Sequence, residues 1–92
     1  MGQCWLAKES LYYPIMPTIL RVGPYRFFFY SNENSEPPHI HVERDDCVCK
    51  FWVDSVALAD NIGFSAKQLR EIDQIVKENQ ALFKTAYIKY HG

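Results

Sequence analysis

Residues 39–52 read His-Ile-His-Val-Glu-Arg-Asp-Asp-Cys-Val-Cys-Lys-Phe-Trp. Two alternating runs flank an acidic pair, which is the pattern of a β-hairpin. Successive side chains of a strand point to opposite faces. If Asp45-Asp46 forms a two-residue loop, Arg44 pairs with Cys47, Val42 with Cys49 and Ile40 with Phe51. That face is apolar and is the one expected to lie under helices. The other face carries His39, His41 and Glu43 opposite Trp52, Lys50 and Val48. Any even loop length keeps this sorting and changes only the pairs.

The rest of the chain is read around this hairpin. Residues 18–22 and 25–31 are rich in β-branched and aromatic residues and flank Gly23-Pro24, a second hairpin signal that sets Arg21 opposite Arg26. Residues 31–38 are polar with two prolines and read as a loop. Residues 47–54 form the fourth strand. Asp54 is placed to cap a short helix from 55 to about 61, ending at Gly63. Ser65 is placed to cap a longer helix from 66 to about 90. Its apolar residues Leu69, Ile72, Val76, Phe83, Ala86, Tyr87 and Tyr90 recur in threes and fours, with Asn79 interrupting. The order ββββαα predicts an α+β fold. A four-stranded antiparallel sheet of two hairpins has the short helix and the long C-terminal amphipathic helix packed on one face. The other face is left to water or a partner. Residues 1–15 show no sustained period and are read as an N-terminal extension, with 16–92 as the single domain. Two readings of the extension stay open: translation from a start upstream of Met16, or an arm docking Trp5, Tyr12 and Tyr13 on the body.

Composition narrows the class. A chain of 92 residues excludes a two-domain enzyme, and no glycine-rich loop suggests a Rossmann unit or a kinase. The formal net charge of −1 lacks the bulk basicity of a nucleic-acid binder. The charge is nevertheless sorted: residues 31–46 hold five acids against Arg44 alone, whereas from Ser65 onwards five Lys/Arg stand against three Asp/Glu. An odd count of three cysteines (Cys4, Cys47, Cys49) and no signal-peptide pattern point to a reducing compartment, hence the cytoplasm. No apolar run approaches the ~18–20 residues of a membrane span, so no membrane partner is expected.

The candidate chemistry lies on the polar face of the hairpin. His41 faces Lys50, whose ammonium disfavours a second positive charge and suits a neutral imidazole acting as general base or metal ligand. His39, His41 and Lys50 are the candidate catalytic residues. Arg21, Arg26, Tyr30 and Trp52 are the candidate substrate-binding residues, since a like-charge arginine pair suits an anion and aromatics beside arginine suit unpaired bases. The bland alternatives are a solvated face, splayed arginines, and a Tyr25–Tyr30 run that simply packs the sheet. No metal and no cofactor are expected. The weaker alternative is a site from His39, His41 and Glu43, with Glu36 as another third ligand; two such imidazoles sit about 6.5–7 Å apart along one strand. Cys47 and Cys49 fall on the apolar face and read as small hydrophobes rather than a metal or redox pair.

The stretches MPTILR, YRFFFYSNE, EPPHIHV, KFWVD, GFSAKQL and the Glu78-Asn79 pair resemble a family of small bacterial and phage proteins catalogued as a domain of unknown function (four-one-six-zero). EPPHIHV is the most specific of these elements. The resemblance runs from Met16 to His91. It implies a compact cytoplasmic protein encoded beside a second small protein, in a toxin–antitoxin arrangement with this chain as the toxin. Tyr87 stands where the resemblance leads one to expect tryptophan and is read as packing, and the Cys47-Val48-Cys49 segment is atypical. Three functions follow as expectations. The first is a toxin that cleaves RNA by metal-independent acid–base chemistry, with His39 or His41 as base and acid and Arg21, Arg26 and Lys50 on phosphate. The second is a non-catalytic module, antitoxin or regulatory subunit, that binds its cognate protein through the open face or Trp52. The third is a metal-dependent hydrolase. A homo-oligomer is compatible with each.

Overall fold

The computed structural model describes residues 18–30 and 36–91. The expected boundary at 15/16 and the two readings of the extension lie outside the described residues, as does the 31–35 part of the loop. An antiparallel sheet runs in sequence order through β1 (Thr18–Val22), β2 (Tyr25–Phe28), β3 (His39–Arg44), β4 (Cys47–Trp52) and β5 (Ala57–Ile62). Two helices follow, α1 (Ala66–Glu78) and α2 (Gln80–His91). The class is α+β as expected, but the sheet has five strands rather than four.

The β3–β4 register has Arg44 opposite Cys47, Val42 opposite Cys49, Ile40 opposite Phe51, His41 opposite Lys50 and His39 opposite Trp52. Asp45 takes the left-handed conformation (φ 54°) that a tight turn requires and that Asp tolerates. Arg21 stands opposite Arg26 across β1 and β2.

The fifth strand replaces the short helix expected over 55–61. Ala57, Leu58 and Ala59 are adequate helix formers, but six residues are too few for a helix without strong tertiary support. The outer edge of β4 offers a ladder of backbone partners instead. A four-residue turn over 53–56 reverses the chain, with Val56 at φ 52°, and the Gln80 amide pins it by donating to the carbonyls of Val53 and Asp54, both at 2.8 Å. Lys50 pairs with Asp60 but Phe51 with Leu58, so a bulge at Ala59 turns Asp60 and Ile62 onto the histidine face.

The single long helix expected to about 90 is two. Ser65 caps α1 as predicted, in a full capping box with Gln68. The break falls at Asn79, whose side chain donates to the Ile75 carbonyl at 2.9 Å and whose backbone leaves helical geometry (φ −117°, ψ 20°). An amide able to satisfy its own preceding turn competes with helix continuation there. Both helices cover the apolar face: Phe27 stacks on Phe83 at 5.4 Å, and Ile72 and Val76 are fully buried against the sheet. Cys49 is buried in this layer and Cys47 half-buried beside it, both unpaired. No helix among the described residues is long and apolar enough to cross a membrane.

Gly63 links β5 to α1 at φ +96°, and a Cβ there would lie 2.9 Å from the Cys47 Sγ. Gly63→Ala combines backbone strain with that clash and should lose about 1–3 kcal/mol. In a domain of this size the melting temperature falls by at least ~4 °C. Gly23→Ala has a left-handed φ of +57° but open space, and should lose less. Thermal unfolding of the two variants checks the order.

Candidate functional site

The sheet face away from the helices carries a row of cross-strand neighbours: Phe28 opposite His41, His41 opposite Lys50, and Lys50 opposite Asp60. Glu43 lies beside it between Arg26 and Val48. The faces sort as the alternation of residues 39–52 requires.

An open, water-facing surface was expected. The structure closes it around the histidines, leaving His39 1% and His41 7% exposed. The His41 ring stacks on Phe28 at 5.6 Å, meets Tyr30 edge-on at 4.4 Å and lies perpendicular to His39 at 5.2 Å. His39 packs against Trp52 at 5.9 Å and Tyr87 at 5.7 Å. Its Nδ1 donates to the Pro37 carbonyl at 2.9 Å, since a carbonyl can only accept. Burial of an imidazole is tolerable when a ring nitrogen is paired in this way.

The cover comes from the end of α2. The Tyr87 hydroxyl donates to the Glu36 carbonyl at 3.2 Å, and the His91 Nε2 donates to the Tyr30 carbonyl at 3.0 Å. Tyr87 also packs edge-on against Phe29 at 5.4 Å and closely on His91 at 4.2 Å. It packs as read from the sequence, and it also ties α2 to the backbone beside the histidines.

The cations are already engaged. Lys50 Nζ bonds Glu36 Oε1 at 2.5 Å and sits 4.8 Å from the Trp52 ring centre. Arg26 bonds Glu43 at 2.9 Å and the Thr18 hydroxyl at 2.7 Å, with its guanidinium 4.5 Å over Phe28. Arg21 is exposed on β1, three strand spacings across and two residues along the sheet from Lys50, about 16 Å away. Thus His39, His41, Lys50, Tyr30 and Trp52 come together, Arg26 flanks them, and Arg21 stands apart.

A depression of about 250 Å³ opens beside this group, lined by Tyr30, His41, Val48, Cys49, Lys50 and Asp60. Its lining brings together the residues that carry an imidazole, a phenol, an ammonium and a carboxylate, with Lys50 and Asp60 as cross-strand neighbours. Asp60 was missed because its segment was read as helical. Its signal is the opposite charge to Lys50, visible only once β5 is recognised. The sequence offers Glu36 only as a metal ligand, whereas in the structure it holds Lys50.

Glu43, the third residue of the metal alternative, is held by Arg26. Among the described residues no group of three His, Cys, Asp or Glu is arranged to hold a metal ion. Burial pushes the Cys49 thiol up to about 12, the opposite of what a reactive or metal-binding thiolate needs. On the helix side, burial and the Glu71 carboxylate that accepts the Tyr25 hydroxyl at 2.7 Å both raise the Tyr25 pKa.

The profile of the family described as Domain of unknown function (DUF4160) matches residues 25–87, more than half of the chain. The chain belongs to this family. The DUF4160 match contains Tyr30, Glu36, His39, His41, Lys50, Trp52 and Asp60 but not Arg21. No curated protein and no solved structure matches the chain significantly.

The Cys49 environment has a pH consequence. Below the ordinary thiol value of 9.0 the group is neutral folded or unfolded and contributes nothing. Between there and about 12 the unfolded thiol ionises while the folded one does not, so this group lowers stability as pH rises. Urea midpoints at pH 8 and pH 10.5 should therefore fall further for the native chain than for Cys49→Ala. In the native state Cys49 should also resist iodoacetamide, read by peptide mass mapping.

Proposed function

We propose that the protein is the toxin half of a bacterial two-protein toxin–antitoxin pair, acting in the cytoplasm on RNA through its histidine face. The supporting observation is the meeting of His41, Lys50 and Tyr30 at one small depression within the DUF4160 match. Metal-independent RNA cleavage needs a base for the ribose 2′-hydroxyl, an acid for the leaving oxygen and a cation for the phosphate. His41 at the depression is the proton carrier. His39, buried and fixed through Nδ1, is a positioning residue that holds the His41 ring. Lys50 receives the phosphate by exchanging Glu36 for it. Tyr30 and Trp52 give aromatic surface to unpaired bases.

A second reading is a non-catalytic module that binds a cognate small protein. It is favoured by the carboxylates already on Lys50 and Arg26, and by β5. That outer strand is exposed along its length, with Leu58 and Ile62 at the surface. An uncovered edge is a template for strand addition by a partner.

Conditional expression separates the two, with and without the adjacent gene. The first reading expects growth arrest by the native chain, relief by the neighbour, and no arrest by His41→Ala or His41→Gln variants that retain a cooperative melting transition. Arrest by both folded variants at the native level would remove the catalytic role. Harmless native protein that co-purifies with its neighbour would establish the second reading instead.

A further inference from the structure

We infer that the depression beside His41 is a pocket for a single guanine-type ring edge, read by Asp60 and Lys50. The inference rests on the RNA-directed reading and names the base its site takes.

Size comes first. At about 250 Å³ the depression falls below the roughly 300–1,000 Å³ of pockets that enclose drug-sized ligands. It suits one ring system rather than a whole nucleotide. Tyr30 and Val48 supply apolar walls, and Tyr30 is 37% exposed, so its ring has surface left to offer a base. The Tyr30 ring is held by edge contacts to Phe28 at 5.3 Å and to His41 at 4.4 Å, so this wall is preformed.

The polar groups then select the ring. Lys50 and Asp60 are direct cross-strand neighbours on one face, with Cβ atoms about 4.5–5.5 Å apart in such pairs. The pairing sets the Lys50 side chain beside an acceptor-only group; its ammonium rests on Glu36 and 4.8 Å from the Trp52 ring centre, and its flexible four-carbon stem lets it reach a ring edge held by Asp60. A carboxylate presents two oxygens side by side and is best satisfied by two parallel N–H groups. Guanine offers that pair, N1–H and N2–H, with the O6 acceptor next to them for an ammonium. Cytosine and adenine set a ring acceptor beside their amino group, and uracil flanks its single N–H with two carbonyls. Each of these would turn an acceptor towards the second carboxylate oxygen. Asp60 Oδ1 accepts the Asn61 N–H at 2.9 Å, which orients the carboxylate and leaves it lone pairs for a ligand. An ammonium has three N–H groups, and Lys50 uses one on Glu36.

The test uses the full chain and four probes, GMP, AMP, CMP and UMP, titrated by calorimetry and by NMR of the backbone amides. GMP should bind at least tenfold tighter than the other three, with shifts centred on Tyr30, Lys50 and Asp60. Asp60→Asn should reduce GMP affinity at least tenfold without moving the melting temperature by more than a degree or two, because Asp60 is exposed. Tyr30→Leu should weaken all four nucleotides alike. No GMP binding, equal binding of the four, or GMP binding indifferent to Asp60→Asn each overturns the inference. Guanine binding with growth arrest unaffected by His41 variants would keep the pocket and discard the catalytic reading. His41-dependent arrest without guanine preference would do the reverse.

Discussion

The two-residue turn at Asp45-Asp46 ties Arg44 to Cys47, and every other neighbour along β3 and β4 follows from that pair. Strand side chains alternate with a period of two, so a slip of one residue would exchange the faces. If β4 slipped against β3, Cys49 and Phe51 would leave the helices and Lys50 would be driven into the apolar core, while Ile40 and Val42 stayed in place. The left-handed Asp45 makes the correct register the cheap one. The packing of α1 and α2 on one side and the Phe28–His41–Lys50–Asp60 row on the other both depend on it.

Two imidazoles on that second face are buried, which needs compensation. Part of it is the Nδ1 bond from His39 to Pro37. Part is ring packing: His41 has Phe28, Tyr30 and His39 as ring neighbours. The end of α2 completes the cover. Tyr87 and His91 reach the Glu36 and Tyr30 carbonyls, on either side of the 31–35 segment. One helix end thus anchors both approaches to the histidines and, through Glu36, the carboxylate that holds Lys50. Movement at the C-terminal turn of α2 would therefore be felt at the charged part of the site.

Local physics made the β3–β4 register, the Gly23-Pro24 hairpin and the Ser65 cap legible in the sequence. Each depends on residues within a few positions of one another: alternation, turn chemistry, a capping box. The features that escaped are set by distant residues. Ala57–Ile62 lacks alternation and contains good helix formers, and becomes a strand because β4 has an unfilled edge and Gln80 pins the turn before it. The burial of His39 cannot be read from its strand, because the cover arrives from Tyr87. Asp60 escaped for both reasons, since its face depends on a strand and on a bulge within that strand. The split at Asn79 was half visible, as an interruption of the stripe, but the competing side-chain bond to Ile75 was not.

The net charge of −1 takes on a different meaning against this site. Bulk charge cannot draw a polyanion to the protein, and the cations on the histidine face are neutralised by Glu36 and Glu43. A phosphate must displace a carboxylate to reach Lys50 or Arg26, an exchange of one anion for another with little net gain. Salt dependence of single-strand binding scales as about −0.7 per phosphate neutralised, so two exchangeable cations allow only a shallow slope. A polyanion held in this way draws little affinity from its backbone. The affinity has to come from the rings, through aromatic surface and hydrogen bonds at base edges. Under the proposed action on RNA, that requirement concentrates recognition on Tyr30, Trp52 and the Lys50–Asp60 pair, and it favours unpaired bases over duplex, whose bases are stacked away from such contacts.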